Sequence, residues 1–360
     1  LIILFNDYNI ILLYYIHPFF YSKRWKKRAI MKILIIGAAG MIGNRLAKSI
    51  LRNGFSQTAH DIILFDVITP TLGSDINLIT IKTGNIADPM VAKKLIANKP
   101  DIIFHLAAIV SGDAEAEFEK GWNINAQGTW HLLEEIRKFH IASDGFYTPK
   151  FIYTSSIAIF SGPYPNAVDD DFAPNPETSY GAQKLVGEVL INDYTRKGFV
   201  NGVALRFPTI VVRPGIPNEA VSSFYSSIIR EPLNGNEAIL PVSDTLRHWF
   251  ASPRSAIGFL RHAAILDLTK LGKRRALNLP GVSCSIADQI MSLEALAGTE
   301  ISKLIKRQAD PVIESIVTRW PQSFIPERAT SLGFIADDSF TQIIQNYIDE
   351  EIEPGLLNSQ

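Results

Sequence analysis

Apolar and polar residues are grouped along the chain, so that short apolar runs are separated by longer amphipathic stretches. The apolar runs are rich in Ile, Val, Leu and Phe and lack strict alternation, which is typical of parallel strands covered on both faces. They predict strands at residues 32–36, 62–65, 78–82, 102–105, 151–154, 203–207 and 275–279. The amphipathic stretches predict helices at residues 41–53, 89–97, 114–139 and 178–197. This order predicts an α/β fold with a doubly wound parallel sheet.

The pattern becomes irregular after Arg206, where prolines and glycines interrupt the apolar runs. A helix is predicted to begin near Ser252, which precedes a proline suited to a first helical turn. The tail between Ser285 and Asp349 has a mainly helical pattern. We therefore expect a sheet domain and a smaller C-terminal substrate-binding lobe. The sheet domain covers residues 31–207, with 247–282 returning to it, and the lobe combines 208–246 and 283–360.

The first 30 residues have a different character from the rest of the chain. Residues 1–21 are apolar and aromatic, and a basic run follows at residues 23–28. A secretory signal carries its positive charge before the apolar segment, and a membrane span needs roughly 20 apolar residues without interruption. We interpret residues 1–30 as an upstream extension outside the fold, with a peripheral membrane anchor as the alternative.

Charge and cysteine content narrow the possible partners. The 360 residues include 35 Lys and Arg against 36 Asp and Glu, a balance that does not favour nucleic acid as a partner. The single cysteine, Cys284, cannot form an intrachain disulfide, and the seven histidines form no metal-binding motif. We expect no metal, no membrane partner and a reducing, cytoplasmic setting.

A glycine-rich turn lies between the first predicted strand and the first predicted helix. Its glycines are Gly37, Gly40 and Gly43, in the spacing GxxGxxG. The first permits a tight turn, the second lets backbone approach a pyrophosphate, and the third lets the helix pack on the strand. Met41 and Ile42 would add N–H groups at the helix N-terminus. The context predicts a Rossmann-type dinucleotide site.

Residues at the ends of the next three strands extend this predicted site. Asp66 ends the second strand, where a carboxylate accepts hydrogen bonds from the adenosine ribose and repels a 2′-phosphate, so NAD is expected as the cofactor. A strand-end turn residue is the alternative interpretation of Asp66. The remaining predicted cofactor contacts are Asn85 and Ile86 at the adenine, and Leu106, Ala107 and Ala108 beside the cofactor.

Tyr180 and Lys184 form a YxxxK pair on a predicted helix, and Ser156 lies at the end of the fifth strand. Residues four apart share one helix face, so the ammonium group can lie beside the phenol. The carboxyl ends of parallel strands form the ligand crevice, where the serine can meet the tyrosine. An ammonium group about 4 Å from the phenol is expected to lower the tyrosine pKa from about 10, an effect that desolvation of the site opposes. A surface Tyr–Lys contact is the alternative.

Together these motifs resemble the extended short-chain dehydrogenase/reductase family, which includes the NAD-dependent epimerases and dehydratases. The resemblance rests on the glycine turn, Asp66, Asn125-x-x-Gly128-Thr129, Ser155-Ser156 and Tyr180-x-x-x-Lys184. It implies that Tyr180 is the proton acceptor, that Ser156 holds the substrate oxygen and that Lys184 also binds the nicotinamide ribose. It further implies that Asn125 supports Lys184, although a helix-stabilising amide is an equal alternative.

Departures from the family patterns bear on the substrate. Dehydratases carry an acidic pair after the serine of the fifth strand, where this chain has Ile157 and Ala158, so dehydration is not expected. Arg247 matches the arginine of a motif that is typical of epimerases, but the acidic positions of that motif are absent from this chain. We therefore expect Arg247 to bind a carboxylate through its two-pronged guanidinium. A surface arginine is the alternative.

The segments around Ser155, Thr178 and Ser222 are most similar to the D-erythronate dehydrogenase subgroup. That resemblance implies oxidation of a small sugar acid at its C2 hydroxyl. The predicted substrate contacts are Ser156 and Tyr180 and three further residues, Ser111, Arg230 and Arg247. A nucleotide-sugar epimerase with tightly bound NAD and a non-catalytic dinucleotide-binding protein are the alternatives. The family resemblance also implies a possible homodimer through the two long helices.

Overall fold

The computed structural model describes residues 30–55, 59–72, 79–215 and 221–352. Its strands are β1 (Ile30–Ile36), β2 (Ala59–Asp66), β3 (Ile79–Thr83), β4 (Ile102–His105), β5 (Lys150–Ser156), β6 (Asn201–Phe207), β7 (Thr209–Ile210), β8 (Ala238–Leu240), β9 (Arg247–Ala251), β10 (Ala276–Asn278), β11 (Val282–Ser285) and β12 (Ile305–Arg307). The predicted upstream extension lies outside the described residues except for Ile30, which begins β1.

The α-helices are α1 (Met41–Asn53), α2 (Pro89–Ile96), α3 (Ser111–Ala116), α4 (Phe118–Gly121), α5 (Gly128–Ala142), α6 (Ser179–Arg196), α7 (Phe224–Leu233), α8 (Pro253–Ile265), α9 (Ile286–Ala297), α10 (Thr299–Ser302), α11 (Pro311–Val317), α12 (Glu327–Ser331) and α13 (Phe340–Glu351). Among the helices of the described ranges, none has both the length and the apolar character needed to cross a membrane.

Seven parallel strands form the central sheet in the order β10-β6-β5-β4-β1-β2-β3. Alternate residues of β1 belong to different hydrophobic cores: Ile33 and Ile35 to one, Leu34 and Ile36 to the other. All four side chains are 0% exposed, which explains why the strand sequence shows no alternation. The predicted doubly wound α/β fold is confirmed.

The order of the strands places the glycine turn and the residues at the ends of β4 and β5 at the same edge of the sheet. β1 pairs with β2 on one side and β4 on the other, so the chain changes direction across the sheet at β1. The crevice beyond the carboxyl ends of the strands at such a point is the usual ligand site of this architecture. Gly37, Leu106 and Ser156 all lie at this edge, at or just after the ends of β1, β4 and β5.

The helix predicted over residues 114–139 is interrupted in the structure. α3 ends at Ala116, because the next residue, Glu117, has a φ of −119° and a ψ of 71°, which are not helical. A π-helical stretch, Trp122–Gln127, then joins α4 to α5. The amphipathic pattern did not reveal either feature, because a wider turn changes the helical period for only a few residues. Asn125 lies inside the π-helical stretch.

The region after Arg206, predicted to be rich in loops, contains α7 and several short strands. β9 pairs with β11 and β7, and β12 pairs with β8. The strand predicted at residues 275–279 appears as β10, whereas the other strands of this region were not predicted, because so few residues carry little periodic pattern. The tail contains five helices, α9 to α13, but also β12 and irregular segments, so its mainly helical prediction holds in part. A separate hydrophobic core includes α7, β8, α9 and α13, and the two-domain division stays a prediction.

Candidate active site

Two glycines of the turn after β1 are required by the fold itself. Gly37 has a φ of +90°, and a Cβ built on it would lie 2.6 Å from the backbone nitrogen of Ala107. A Cβ on Gly43 would collide with the carbonyl oxygen of Gly37. A Cβ on Gly40 would lie at an ordinary 3.5 Å from the same oxygen. The fold therefore leaves Gly40 free to serve a ligand that approaches the backbone.

The N-terminus of α1 faces the same turn. The helix begins at Met41 after Gly40, and no side-chain hydrogen bond caps it. The first N–H groups of a helix, here including those of Met41 and Ile42, lack partners within the helix and carry a partial positive charge. This arrangement is suited to a pyrophosphate.

Asp66 connects the end of β2 to the glycine turn. Its Oδ2 accepts a hydrogen bond of 2.8 Å from the Ala39 N–H, and its Oδ1 accepts one of 2.7 Å from the Val67 N–H. The half-buried carboxylate therefore lies beside the turn, fixed by backbone donors but still partly exposed. An anion in this place fits a ribose with free hydroxyls better than one with a 2′-phosphate.

The remaining predicted cofactor residues lie around this turn. Asn85 is exposed, accepts a hydrogen bond of 3.0 Å from Ala87 N–H and lines a groove with Phe118. Ile86 is buried against Gly128, where a Cβ would lie 3.2 Å from its side chain. Leu106, Ala107 and Ala108 follow β4 and are half-buried.

Tyr180, Ser156 and Lys184 meet at the carboxyl end of β5. The Ser156 side chain lies near the Tyr180 hydroxyl and acts to lower its pKa through hydrogen bonding. The Lys184 Nζ lies 5.6 Å from the centre of the Tyr180 ring and donates a hydrogen bond of 2.8 Å to the Thr154 carbonyl oxygen. The predicted trio is therefore brought together, with the ammonium group near the Tyr180 ring and fixed by the Thr154 carbonyl.

Burial decides the protonation of this trio. It raises the pKa of Tyr180 to about 12, although the hydrogen bond with Ser156 acts in the opposite direction. Burial also lowers the pKa of Lys184 to about 7. In the free protein the pKa of Tyr180 is therefore raised on balance, because the enclosed site disfavours the charged form of each group. The lowering effect of Lys184 on the tyrosine stays a prediction.

Two glycines that the sequence analysis did not single out seat α6 against the sheet. A Cβ on Gly181 would collide with the Ala158 carbonyl oxygen, and one on Gly187 would lie 2.5 Å from the Tyr153 hydroxyl. The Thr178 side chain caps the helix by accepting a 3.1 Å hydrogen bond from the Gly181 N–H. Glycines inside a helical pattern are a signal of close packing, and these two set the depth of Tyr180 and Lys184.

Asn125 contacts Gln183 instead of Lys184. Its Nδ2 donates to the Gln183 Oε1 at 2.7 Å and to the Ile109 carbonyl oxygen at 3.2 Å, and its Oδ1 accepts from the Ile109 N–H at 3.0 Å. The pair joins α6 to the loop after β4. Gln183 was missed by the sequence analysis because its partner is 58 residues away. The support of Lys184 by Asn125 stays a prediction; the contact with α6 that the structure shows is the one to Gln183.

The three predicted substrate contacts outside the trio have different surroundings. Ser111 begins α3, which packs against α6, and is half-buried. Arg230 is 4% exposed, and its guanidinium donates to Glu231, Ser227 and the Arg213 carbonyl. Arg247 is bound to Asp288 at 3.2 Å and to the Ser283 carbonyl at 3.0 Å. Direct contact of these three with a substrate stays a prediction.

Comparison with known proteins identifies the family to which this chain belongs. The model of the NAD dependent epimerase/dehydratase family matches residues 33–251. The chain therefore belongs to this family, and the resemblance inferred from the motifs is confirmed. NAD is its cofactor, as the glycine turn and Asp66 indicated.

Individual relatives narrow the class further. A D-erythronate dehydrogenase from Cupriavidus necator is 40% identical over 89% of this chain and 98% of the relative. Another from Haemophilus influenzae is 40% identical over 89% of this chain and 100% of the relative. The crystal structure of a nucleoside-diphosphate-sugar epimerase from Agrobacterium tumefaciens is 44% identical, with a TM-score of 0.88 over 91% of this chain and 96% of that one. The protein is an NAD-dependent dehydrogenase.

Proposed function

We propose that the protein oxidises D-erythronate at its C2 hydroxyl to 2-oxo-tetronate, with NAD as the oxidant. The observation that carries this proposal is the meeting of Tyr180, Ser156 and Lys184 beside the glycine turn. The 40% identity to two D-erythronate dehydrogenases supports the choice of substrate. A small sugar acid is therefore the expected partner of the site.

The glycine turn, the N-terminus of α1 and Asp66 would hold the pyrophosphate and the adenosine ribose. When bound, oxidised NAD supplies the hydride acceptor and a positive charge at the nicotinamide. Lys184 would bind the nicotinamide ribose from its place beside Tyr180.

Within the chain itself, the reaction requires that a proton leave the C2 hydroxyl. Tyr180 Oη is the proposed acceptor, and Ser156 Oγ holds the substrate oxygen beside it. Because burial raises the pKa of Tyr180 to about 12, the phenol is protonated at neutral pH in the free protein. Positive charge next to the ring favours the phenolate, and protonated Lys184 is the cation that the chain provides.

Dehydration does not fit the residues after Ser156. Ile157 and Ala158 occupy a 3-10 turn at the end of β5, and the Ile157 side chain is buried. Elimination of water needs an acid and a base at the neighbouring carbon, which aliphatic side chains cannot supply. Oxidation of an alcohol removes a proton from the hydroxyl oxygen and a hydride from its carbon, which requires only the trio as base and NAD as hydride acceptor.

The direct test is NADH formation, measured at 340 nm with purified protein, NAD and D-erythronate. Steady NADH production by the wild type and its loss in Tyr180→Phe are expected. Tyr194→Phe is the matched control on the same helix, because Tyr194 bonds to Glu134 away from the trio. The proposal is rejected if the wild type binds NAD but forms no NADH, or if Tyr180→Phe retains full activity.

A nucleotide-sugar epimerase is the second candidate, favoured by the name of the 44% identical Agrobacterium tumefaciens structure. Such an enzyme keeps NAD bound and releases no net NADH. Incubation with UDP-glucose or UDP-galactose and proton NMR of the sugar would distinguish the two candidates. Epimerised sugar without NADH release would favour this second function.

We also infer a homodimer formed through α6 and its neighbours, in a reducing, cytoplasmic setting consistent with the single cysteine. An apolar groove on α6 is lined by Pro176, Ala182, Leu185, Val186, Val189 and Leu190, and Val189 is 62% exposed. Light scattering should give a dimer mass that Val189→Asp reduces to that of a monomer. Val312→Asp, at a similarly exposed position on α11, is the control.

A further inference from the structure

We propose that Arg213 binds the carboxylate of the substrate, in a subsite that Ser222 orients. The inference rests on the proposed oxidation of a sugar acid and names the group that recognises the acid. Arg213 belongs to none of the motifs discussed above. Three features of its surroundings support this role: its place in the chain path, its unfilled hydrogen-bonding capacity and the local balance of charge.

The chain reaches Arg213 from the edge of the sheet that carries the trio. Phe207, the last residue of β6, is the register partner of Ser156. Residues Thr209 and Ile210 then form β7, and Val211 and Val212 are fully buried. Arg213 follows directly and is half-buried, so its side chain retains access to solvent. Arg213 lies six residues beyond the register partner of Ser156, a chain length that spans at most about 22 Å.

The guanidinium of Arg213 is oriented but only partly used. Its Nη2 donates to the carbonyl oxygen and to the side-chain hydroxyl of Ser222, both at 3.0 Å. Its backbone N–H donates to the Ser226 hydroxyl at 3.1 Å. Within the ranges that the structure covers, Nε and Nη1 have no hydrogen-bond acceptor. A planar donor group held at one nitrogen and open at the others is suited to a carboxylate.

The charges around Arg213 do not balance. Arg230 lies next to it and donates a 2.8 Å hydrogen bond to the Arg213 carbonyl oxygen. Glu231 pairs with Arg230 at 2.7 Å, and no acidic side chain of the described residues forms an ion pair with Arg213. The one carboxylate paired with these two arginines, that of Glu231, therefore belongs to Arg230. Burial, followed by the charge of Arg230, lowers the pKa of Arg213, and a bound anion would relieve both effects.

The presence or absence of a carboxylate partner distinguishes Arg213 from the other two candidate arginines. Arg230 and Arg247 already have carboxylate partners, Glu231 and Asp288. A substrate acid would have to compete with those partners, whereas at Arg213 it would add the missing charge. The hydroxyl of the half-buried Ser222 lies beside the Arg213 guanidinium and matches the hydroxyl groups of a sugar acid.

The test compares a charged substrate with an uncharged analogue. Steady-state rates of wild type, Arg213→Met and Arg247→Met are measured with D-erythronate and with its neutral amide. Loss of hydrogen bonds to a charged group predicts that Arg213→Met raises KM for D-erythronate by roughly 10- to 100-fold. The rates with the amide, and the thermal unfolding midpoint, should match those of the wild type. A similar loss on both compounds, or a charge-dependent loss only in Arg247→Met, would overturn the proposal.

A second measurement keeps this proposal separate from the proposed function. If wild type does not oxidise D-erythronate, the substrate assignment fails, and calorimetric titration with tartrate, a four-carbon diacid, then judges the subsite alone. Binding to the NADH-loaded wild type that is lost in Arg213→Met supports the subsite. Equal binding to both proteins, or binding to neither, rejects it.

Discussion

Replacing each glycine of the turn after β1 by alanine separates the folding role of the turn from its cofactor-binding role. At Gly37, alanine must adopt a φ of +90° with its Cβ 2.6 Å from the Ala107 nitrogen. Positive φ costs about 1–2 kcal/mol and overpacking about 1–3 kcal/mol, so Gly37→Ala should lose about 2–5 kcal/mol of unfolding free energy.

Gly40→Ala should behave differently. Gly40 has a φ of −67°, and its Cβ would make only an ordinary 3.5 Å contact. The weaker helix cap of alanine, about 0.5–1 kcal/mol, is offset by a less flexible unfolded chain, about 0.4–1 kcal/mol. Stability should therefore change by less than about 0.5 kcal/mol. A methyl group placed against the pyrophosphate costs about 1–3 kcal/mol, so the Kd for NAD should rise roughly 5- to 150-fold.

Urea unfolding and calorimetric titration with NAD measure the two effects separately. Gly258→Ala on α8 is the control, because its Cβ would meet nothing within 4 Å and the residue lies outside the turn. That variant should be as stable as the wild type or more stable, with an unchanged Kd for NAD. The reasoning is refuted if Gly40→Ala destabilises the free protein as much as Gly37→Ala, or if it binds NAD as tightly as the wild type.

Glu188→Gln should cost about 3–5 kcal/mol of unfolding free energy, because it leaves Arg206 buried without its 2.8 Å carboxylate partner. Glu300→Gln, at an exposed position, is the control and should lose less than about 1 kcal/mol. A loss below about 1 kcal/mol in Glu188→Gln itself would contradict the prediction. Burial lowers the pKa of Lys184 to about 7, below the value of about 10.4 in the unfolded chain. The stability of the wild type relative to Lys184→Met should therefore rise as the pH increases from about 7 to about 10.4. A stability difference between the two proteins that does not change with pH in urea unfolding would contradict this. Gln183→Met should lower kcat more than it raises the KM for NAD, since it releases α6 from Asn125; unchanged kinetics would exclude that positioning role.

The elements predicted well are those whose signal is local. α1 begins and ends at the predicted residues, and β4 matches its prediction, because each joins a clear apolar pattern to glycine or turn residues at its ends. The break at Glu117 and the π-helical stretch were not predicted, since both alter the helical period only briefly. The short strands of the second core depend on partners far along the chain, which a local pattern cannot identify.

The sequence by itself determined the parallel sheet, the glycine turn, NAD as the cofactor and the proximity of Tyr180 to Lys184. Each follows from spacing within one element or between neighbouring ones. Only the tertiary structure decided that Asn125 holds Gln183, and that burial moves the pKa values of Tyr180 and Lys184 toward their neutral forms. Those features depend on how closely distant segments enclose a group and exclude water from it, a property that no stretch of sequence carries alone.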